Sequence, residues 1–205
     1  MKVISQIVSY IFHPLFIPLY TFILLFSTDY YFSYIIPVKG KLYLLAILGI
    51  YTIILPGLTI YLLKKTKVIE SYKMNSKKER TWPLINIIMV YTINYYFFNK
   101  LNLPNIYSIF LLSIVILSIT GLLLTLKWKI SLHTLAAGGI SGYFFALSYL
   151  YCININIILF ALLLISGTIA SARLYLNEHN SLQVYSGYII GLFSMFIMFL
   201  QLIKL

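Results

Sequence analysis

The sequence predicts an all-α, polytopic bundle of transmembrane helices, and three observations predict it. Of the 205 residues, 61% are hydrophobic and only 9% are charged, where a soluble domain carries about 25% charged residues. Such a chain lacks the polar side chains to meet water all round, so most of its surface must face lipid. Its apolar residues also gather into stretches of about 20, the length that crosses a bilayer core as a helix. The linkers between stretches are mostly short, as in a bundle whose consecutive helices run antiparallel.

Seven stretches qualify, at roughly residues 4–26, 41–63, 83–99, 104–126, 131–151, 154–172 and 183–204. They predict six to seven spans in a single integral membrane domain, residues 1–205. The first opens "MKVISQIVSYIFHPLFIPLYTFILLFS". One lysine precedes an apolar run too long for a signal-peptide core, and no A-x-A-like cleavage site follows, so it reads as a retained span. His13, Pro14 and Pro18 within it predict a kink or partial insertion. The His13–Pro14 pair reads as a kink or as part of a lipid access route, outside the catalytic set. The second stretch ends at a basic loop. The third is short and holds Asn86 and Asn94, which makes it the weakest span. The fourth is uninterrupted. The fifth begins, the sixth ends and the seventh begins at a polar cluster. No internal repeat, low-complexity tail or soluble domain is present.

The net charge of +11 suggests nucleic acid only at first sight. Seven of the 15 Lys and Arg fall in "KKTKVIESYKMNSKKER", residues 64–80, between two apolar stretches. No zinc spacing or RNA-binding signature accompanies them. Anionic headgroups or a phosphate-bearing substrate are the better partners for a basic membrane loop. Glu70 and Glu79 read as local ion partners within it. The lone Cys152 excludes an intramolecular disulfide and a multi-cysteine metal site, and its apolar surroundings predict a buried small hydrophobe. The aromatic residues fit interfacial belts and bundle packing.

With seven spans, the N-terminus, the basic loop, the 127–131 turn and the 173–182 segment share one side. That side carries eleven of the positive charges (Lys2, the seven of the loop, Lys127, Lys129 and Arg173) against Lys39, Lys41, Lys100 and Lys204 opposite. The positive-inside rule makes it cytoplasmic.

Three polar clusters fall on that side. They are Lys73 to Arg80 in "KMNSKKERTWP", Ser131 to His133 in "SLH", and Arg173 to His179 in "SARLYLNEHNSLQVYSGYIIG" (171–191). Three clusters on one face can converge on one site. Guanidinium and ammonium groups with a hydroxyl suit the oxygens of a phosphate. His133 opens a helix, where free N–H groups favour an anion. Two histidines at a bound phosphate allow one to attack phosphorus while the other protonates the leaving oxygen, and no metal or other cofactor is required. Ser131 also suits a helix N-cap. On a helix, His179, Gln183, Gly187 and Gly191 form one stripe. Gln183 would then orient the His179 ring, and the glycines would admit a neighbouring helix closely. Arg173 shares that site only if the helix breaks between them, around Asn177.

The combination resembles the type 2 phosphatidic acid phosphatase (PAP2) superfamily. Lys73 and Arg80 have the spacing of its K-x6-R-P motif, although proline comes only at Pro83. Ser131 and His133 match its P-S-G-H motif, with Ile130 and Leu132 replacing proline and glycine. Arg173, His179, Gly187 and Gly191 match its S-R-x5-H-x3-D motif and the following glycines, with Ser171 displaced by one residue. The matches run in order over roughly residues 70–195. The resemblance implies a PAP2-like core in which Lys73, Arg80 and Arg173 bind phosphate and Ser131 assists. It implies His179 as the nucleophile that forms a phosphohistidine, with His133 as general acid. Gln183 replaces the family's aspartate: it can orient the histidine but brings no negative charge. Glutamine in "LNxHxxxQVYxG" is similar to a compact bacterial branch of the family.

The expected protein is a metal-independent, cofactor-free phosphatase of the bacterial inner (cytoplasmic) membrane. It hydrolyses a lipid phosphate or pyrophosphate, has membrane lipids as neighbours and binds no nucleic acid. The rivals are a catalytically weakened binder of phospholipid headgroups, favoured by Gln183, and a phosphoryl or headgroup transferase. A transporter is disfavoured, because few ionisable groups occupy span centres, where transport sites sit.

Overall fold

Pro14 interrupts the first stretch at once, and the interruption shows how local chemistry sets the elements of this chain. In the computed structural model, which describes residues 1–28, 30–70 and 77–203, every regular element among the described residues is helical. They are α1 (Lys2–Ile11), α2 (Ile17–Ser27), the short α3 (Tyr31–Tyr34), α4 (Val38–Gly49), α5 (Leu55–Lys65), α6 (Lys77–Asn99), α7 (Asn105–Lys127), α8 (Leu132–Tyr151), α9 (Asn156–Tyr175) and α10 (Ser181–Leu202). Five helical segments are long and apolar enough to cross a membrane: Lys2–Ser27, Val38–Lys65, Asn105–Lys127, Asn156–Tyr175 and Ser181–Leu202. The other two expected spans, α6 and α8, are helical but more polar. The asparagines and charged first turn of α6, and the glycine, serine and histidine content of α8, are the reason. Lys73 and Lys204 lie outside the described residues.

The chain divides into two compact units, residues 1–17 with 127–205 and residues 18–126. In the first unit, α1 stops because the residue before a proline is pushed out of the α region. His13 takes extended angles (φ −66°, ψ 141°), and its Nδ1 accepts the Leu15 N–H at 3.4 Å, capping a 3₁₀ turn over Pro14–Phe16. The expected kink is thus a full break.

The heart of this unit is the pair α8 and α10, which meet backbone to backbone. A Cβ on Gly138 would lie 2.0 Å from the Tyr188 carbonyl oxygen, and one on Gly191 would lie 2.0 Å from that of Leu135. Only glycine permits that approach at either site. Further along the pair, Tyr143 and Phe199 pack edge-on with centroids 4.7 Å apart, both fully buried. α9 packs against α1 and α8. Cys152 departs from the expectation of a buried thiol. It is exposed and caps α8 in the left-handed region (φ 50°), because the helix ends there and turns into the next.

In the second unit, α4 and α5 are one helix joined through a π-helical segment, Ile50–Ile54. Pro56 cannot donate to a carbonyl four residues back and its ring crowds that turn, and the wider π geometry accommodates both demands. Phe22 anchors the core, with Phe98, Tyr107 and Phe110 at 5.5, 5.4 and 5.9 Å. Lys41 Nζ donates to the Phe26 carbonyl (3.1 Å) and to Ser33 Oγ (2.8 Å), closing the C-terminal end of α2. Thr59 and Asn86 join α5 to α6 through a 2.6 Å hydrogen bond. Asn94 is fully buried, and neither of its side-chain polar atoms has a hydrogen-bond partner among the described residues. Glu79 accepts the Glu70 N–H at 2.8 Å, so its carboxylate holds backbone.

Candidate functional site

Between Arg173 and His179 the chain passes a helix end and a left-handed residue, and a helix start follows. Arg173 stands in the last turn of α9, where a cation complements the helix dipole. Leu176 caps the helix and Asn177 turns the chain at φ 53°, a conformation that asparagine tolerates better than most residues. Asn180 then caps α10. Its Oδ1 accepts the Gln183 N–H at 2.9 Å while Gln183 Oε1 accepts the Asn180 N–H at 3.2 Å, a reciprocal capping box.

The box places His179 one residue before the cap, not on the helix as the stripe supposes. Gln183 nevertheless reaches it, because the box folds the glutamine side chain back toward the N-terminus. His179 is buried (8% exposed), and its Nδ1 lies 3.2 Å from Gln183 Oε1 and 3.3 Å from the Lys129 carbonyl oxygen. Gln183 Oε1 accepts from a backbone N–H, which identifies it as the oxygen. Both neighbours of Nδ1 are therefore acceptors. A proton thus sits on Nδ1.

α8 opens against the same segment. Ser131 is fully buried, its Oγ accepts the Thr134 N–H at 3.5 Å, and its own N–H donates to the Gln183 carbonyl at 3.4 Å. Its hydroxyl serves as a helix cap. His133, two residues on and half-buried, has Nε2 at 3.1 Å from the Ser9 carbonyl oxygen. A carbonyl can only accept, so His133 Nε2 carries a proton. Arg173 Nη1 donates to Ser9 Oγ at 3.4 Å. The His13 ring meets that of His133 edge-on, with centroids 5.2 Å apart. Arg173, His13 and His179 all lie within electrostatic reach of His133.

Ser131, His133, Arg173, His179 and Gln183 thus belong to one unit and are connected through Ser9, Lys129 and the ends of α8, α9 and α10. Arg80 lies in the first turn of α6, in the other unit, and is half-buried. Lys73 is outside the described residues. Three contributors left no mark in the motifs. The carbonyls of Ser9 and Lys129 are backbone groups that any residue would supply, and His13 reads from sequence as a proline-associated kink. Among the described residues, no group of three or more His, Cys, Asp or Glu is arranged to hold a metal ion. Comparison with protein-family models, with curated proteins and with solved structures yields no match for this chain.

Proposed function

We propose that the protein is a membrane lipid phosphatase of the PAP2 type, in which His179 attacks the phosphorus of a lipid phosphate or pyrophosphate. The observation that supports this is the pair of acceptors on His179 Nδ1, which hold a proton there, so that a neutral ring presents Nε2 as its nucleophilic atom. Nε2 bonds to phosphorus, the bond from phosphorus to the leaving oxygen breaks, and that oxygen takes the proton of His133 Nδ1. Nδ1 is the acid atom because Nε2–H is held by the Ser9 carbonyl. For this His133 must enter the step as the imidazolium, its second proton taken onto Nδ1 as the phosphate's negative charge binds and offsets that of Arg173. Water then attacks phosphorus, the P–N electron pair returns to Nε2, and His133 recovers a proton from the water. Arg173 binds the phosphate oxygens. The family resemblance adds Lys73 and Arg80 to the phosphate ligands, and Arg80→Ala tests that addition by itself. In this reading the helical segments form six to seven spans in a cytoplasmic membrane.

A second reading, a headgroup binder without turnover, is favoured by one feature. The group that holds Nδ1 is a neutral amide, so the positive charge of a phosphohistidine is met by dipoles alone. Phosphate release separates the two. The purified protein in detergent, with EDTA, is given phosphatidic acid, phosphatidylglycerol phosphate, undecaprenyl pyrophosphate and a lipid A phosphate. Release abolished by His179→Ala supports the phosphatase. Lipid binding with no release from any of them supports the binder.

A further inference from the structure

The N-terminal segment contributes to the site in a way that the motif pattern does not include. Ser9 makes two contacts at once. Its carbonyl accepts from His133 Nε2 (3.1 Å) and its hydroxyl accepts from Arg173 Nη1 (3.4 Å). His13, four residues later, sets its ring against that of His133 at 5.2 Å. Its Nδ1 takes the Leu15 N–H, which fixes the angle of the ring as the chain breaks at Pro14. We infer that Ser9 and His13 are positioning residues of the active site, Ser9 aligning the phosphate-binding guanidinium and the acid imidazole together, and His13 holding the acid imidazole from its side.

The inference rests on the phosphatase reading for its roles, but its geometry is independent of it. An imidazole can turn about its Cβ–Cγ bond and exchange the nitrogen it presents. A carbonyl on Nε2 removes that freedom, so Nδ1 remains the nitrogen that faces the leaving group. A guanidinium on a long side chain has several rotamers of similar energy. One N–H held by a hydroxyl selects among them before substrate arrives, and so reduces the ordering cost of binding. Both restraints come from one residue of α1. A displacement of α1 therefore disturbs the binding group and the acid together, which makes the N-terminal helix part of the site as well as part of the bundle.

The two functions of Ser9 can be separated, because substitution alters its hydroxyl and keeps its carbonyl. Ser9→Ala is expected to raise KM for the lipid substrate about 3- to 10-fold with kcat within about twofold, since only the Arg173 contact is lost. Ser9→Thr restores the hydroxyl and should restore KM. His13→Phe keeps the ring packing but loses the cap, and is expected to lower kcat about 10-fold at little change in KM. Simple structural roles would move both constants together, and the thermal midpoint with them. The affinity for inorganic phosphate, measured by calorimetry on the parent, Ser9→Ala and Ser9→Thr, should follow the same order as KM. If the parent hydrolyses lipid phosphate and Ser9→Ala matches it in KM and in phosphate affinity, the inference is overturned and the phosphatase reading stands. If the parent binds phosphate without hydrolysis, the phosphatase reading fails, and the phosphate affinities alone decide the role of Ser9. A parent that does neither overturns both.

Discussion

Gln183 is the residue at which the chemistry of the site is most exposed to test. Its side-chain oxygen takes two N–H groups, one from the Asn180 backbone and one from His179 Nδ1. Gln183→Leu removes both acceptances and the capping box. It should lower kcat about 10- to 100-fold, the usual cost of losing an outer partner of a reacting histidine. Gln183→Glu keeps the reach, remains competent at the third position of a capping box and places an anion at a helix N-terminus. It should raise kcat several-fold by meeting the phosphohistidine's positive charge, and should raise the thermal midpoint as well. Steady-state phosphate release and thermal unfolding of the two variants check this; a slower Glu variant would mean that charge at this position is not what limits the reaction. The His179–Gln183 relation was readable as a four-residue spacing. The cap at Asn180 was not, because it depends on where the helix starts, which lies within the uncertainty of any hydrophobic pattern. The Lys129 carbonyl that shares Nδ1 was invisible for a different reason: no side chain signals it.

Among the helices, the α8–α10 pair carries the strictest demand. Gly191→Ala would set a methyl 2.0 Å from the Leu135 carbonyl oxygen, a backbone atom that cannot move aside without separating the helices. The expected cost is about 2–3 kcal/mol. Gly167→Ala is the matched control, since nothing lies within 4 Å of its added Cβ on α9. There the better helix propensity of alanine should leave stability unchanged or raise it by about 0.5–1 kcal/mol. Thermal unfolding in one detergent compares the two, and equal effects would refute the close approach. The sequence marked the α10 side of this interface, Gly187 and Gly191, through their spacing from His179. It did not single out Gly138 on α8, because a small residue acquires meaning only when its partner helix is known. Asn94 makes the opposite case. Its burial at the centre of α6 without a partner among the described residues costs desolvation with no return. Asn94→Leu, which keeps the branching and removes the polar atoms, should therefore stabilise the protein by about 1 kcal/mol, and destabilisation by both Asn94→Leu and the smaller Asn94→Val would show that the amide finds a partner in the membrane.

At the scale of the whole molecule, the legible part was the set of apolar stretches, each of which is helical because a lipid-facing backbone must satisfy its own hydrogen bonds. Less legible was which of them cross the membrane. α6 and α8 fall short in apolarity because their polar and small residues serve internal contacts, and residue composition does not distinguish a buried polar face from an exposed one. Topology can be tested within the unit that holds the site, because α9 (Asn156–Tyr175) is among the helices able to span. Cys152 precedes it and is the only cysteine, exposed at the end of α8, while Glu178 follows it beside His179. If α9 crosses, the two positions lie on opposite faces. If the chain makes the seven spans that its sequence predicts, the excess of Lys and Arg falls on the Arg173 side and predicts that this face is cytoplasmic. A membrane-impermeant maleimide should then label Cys152 in intact cells, whereas Glu178→Cys in a Cys152→Ser background should label only after permeabilisation. Labelling of both from one side would mean that α9 does not span. The reverse pattern would keep the span but invert the protein, and would assign the clustered positive charges to phosphate recognition, since charges recruited to bind an anion carry no information about orientation.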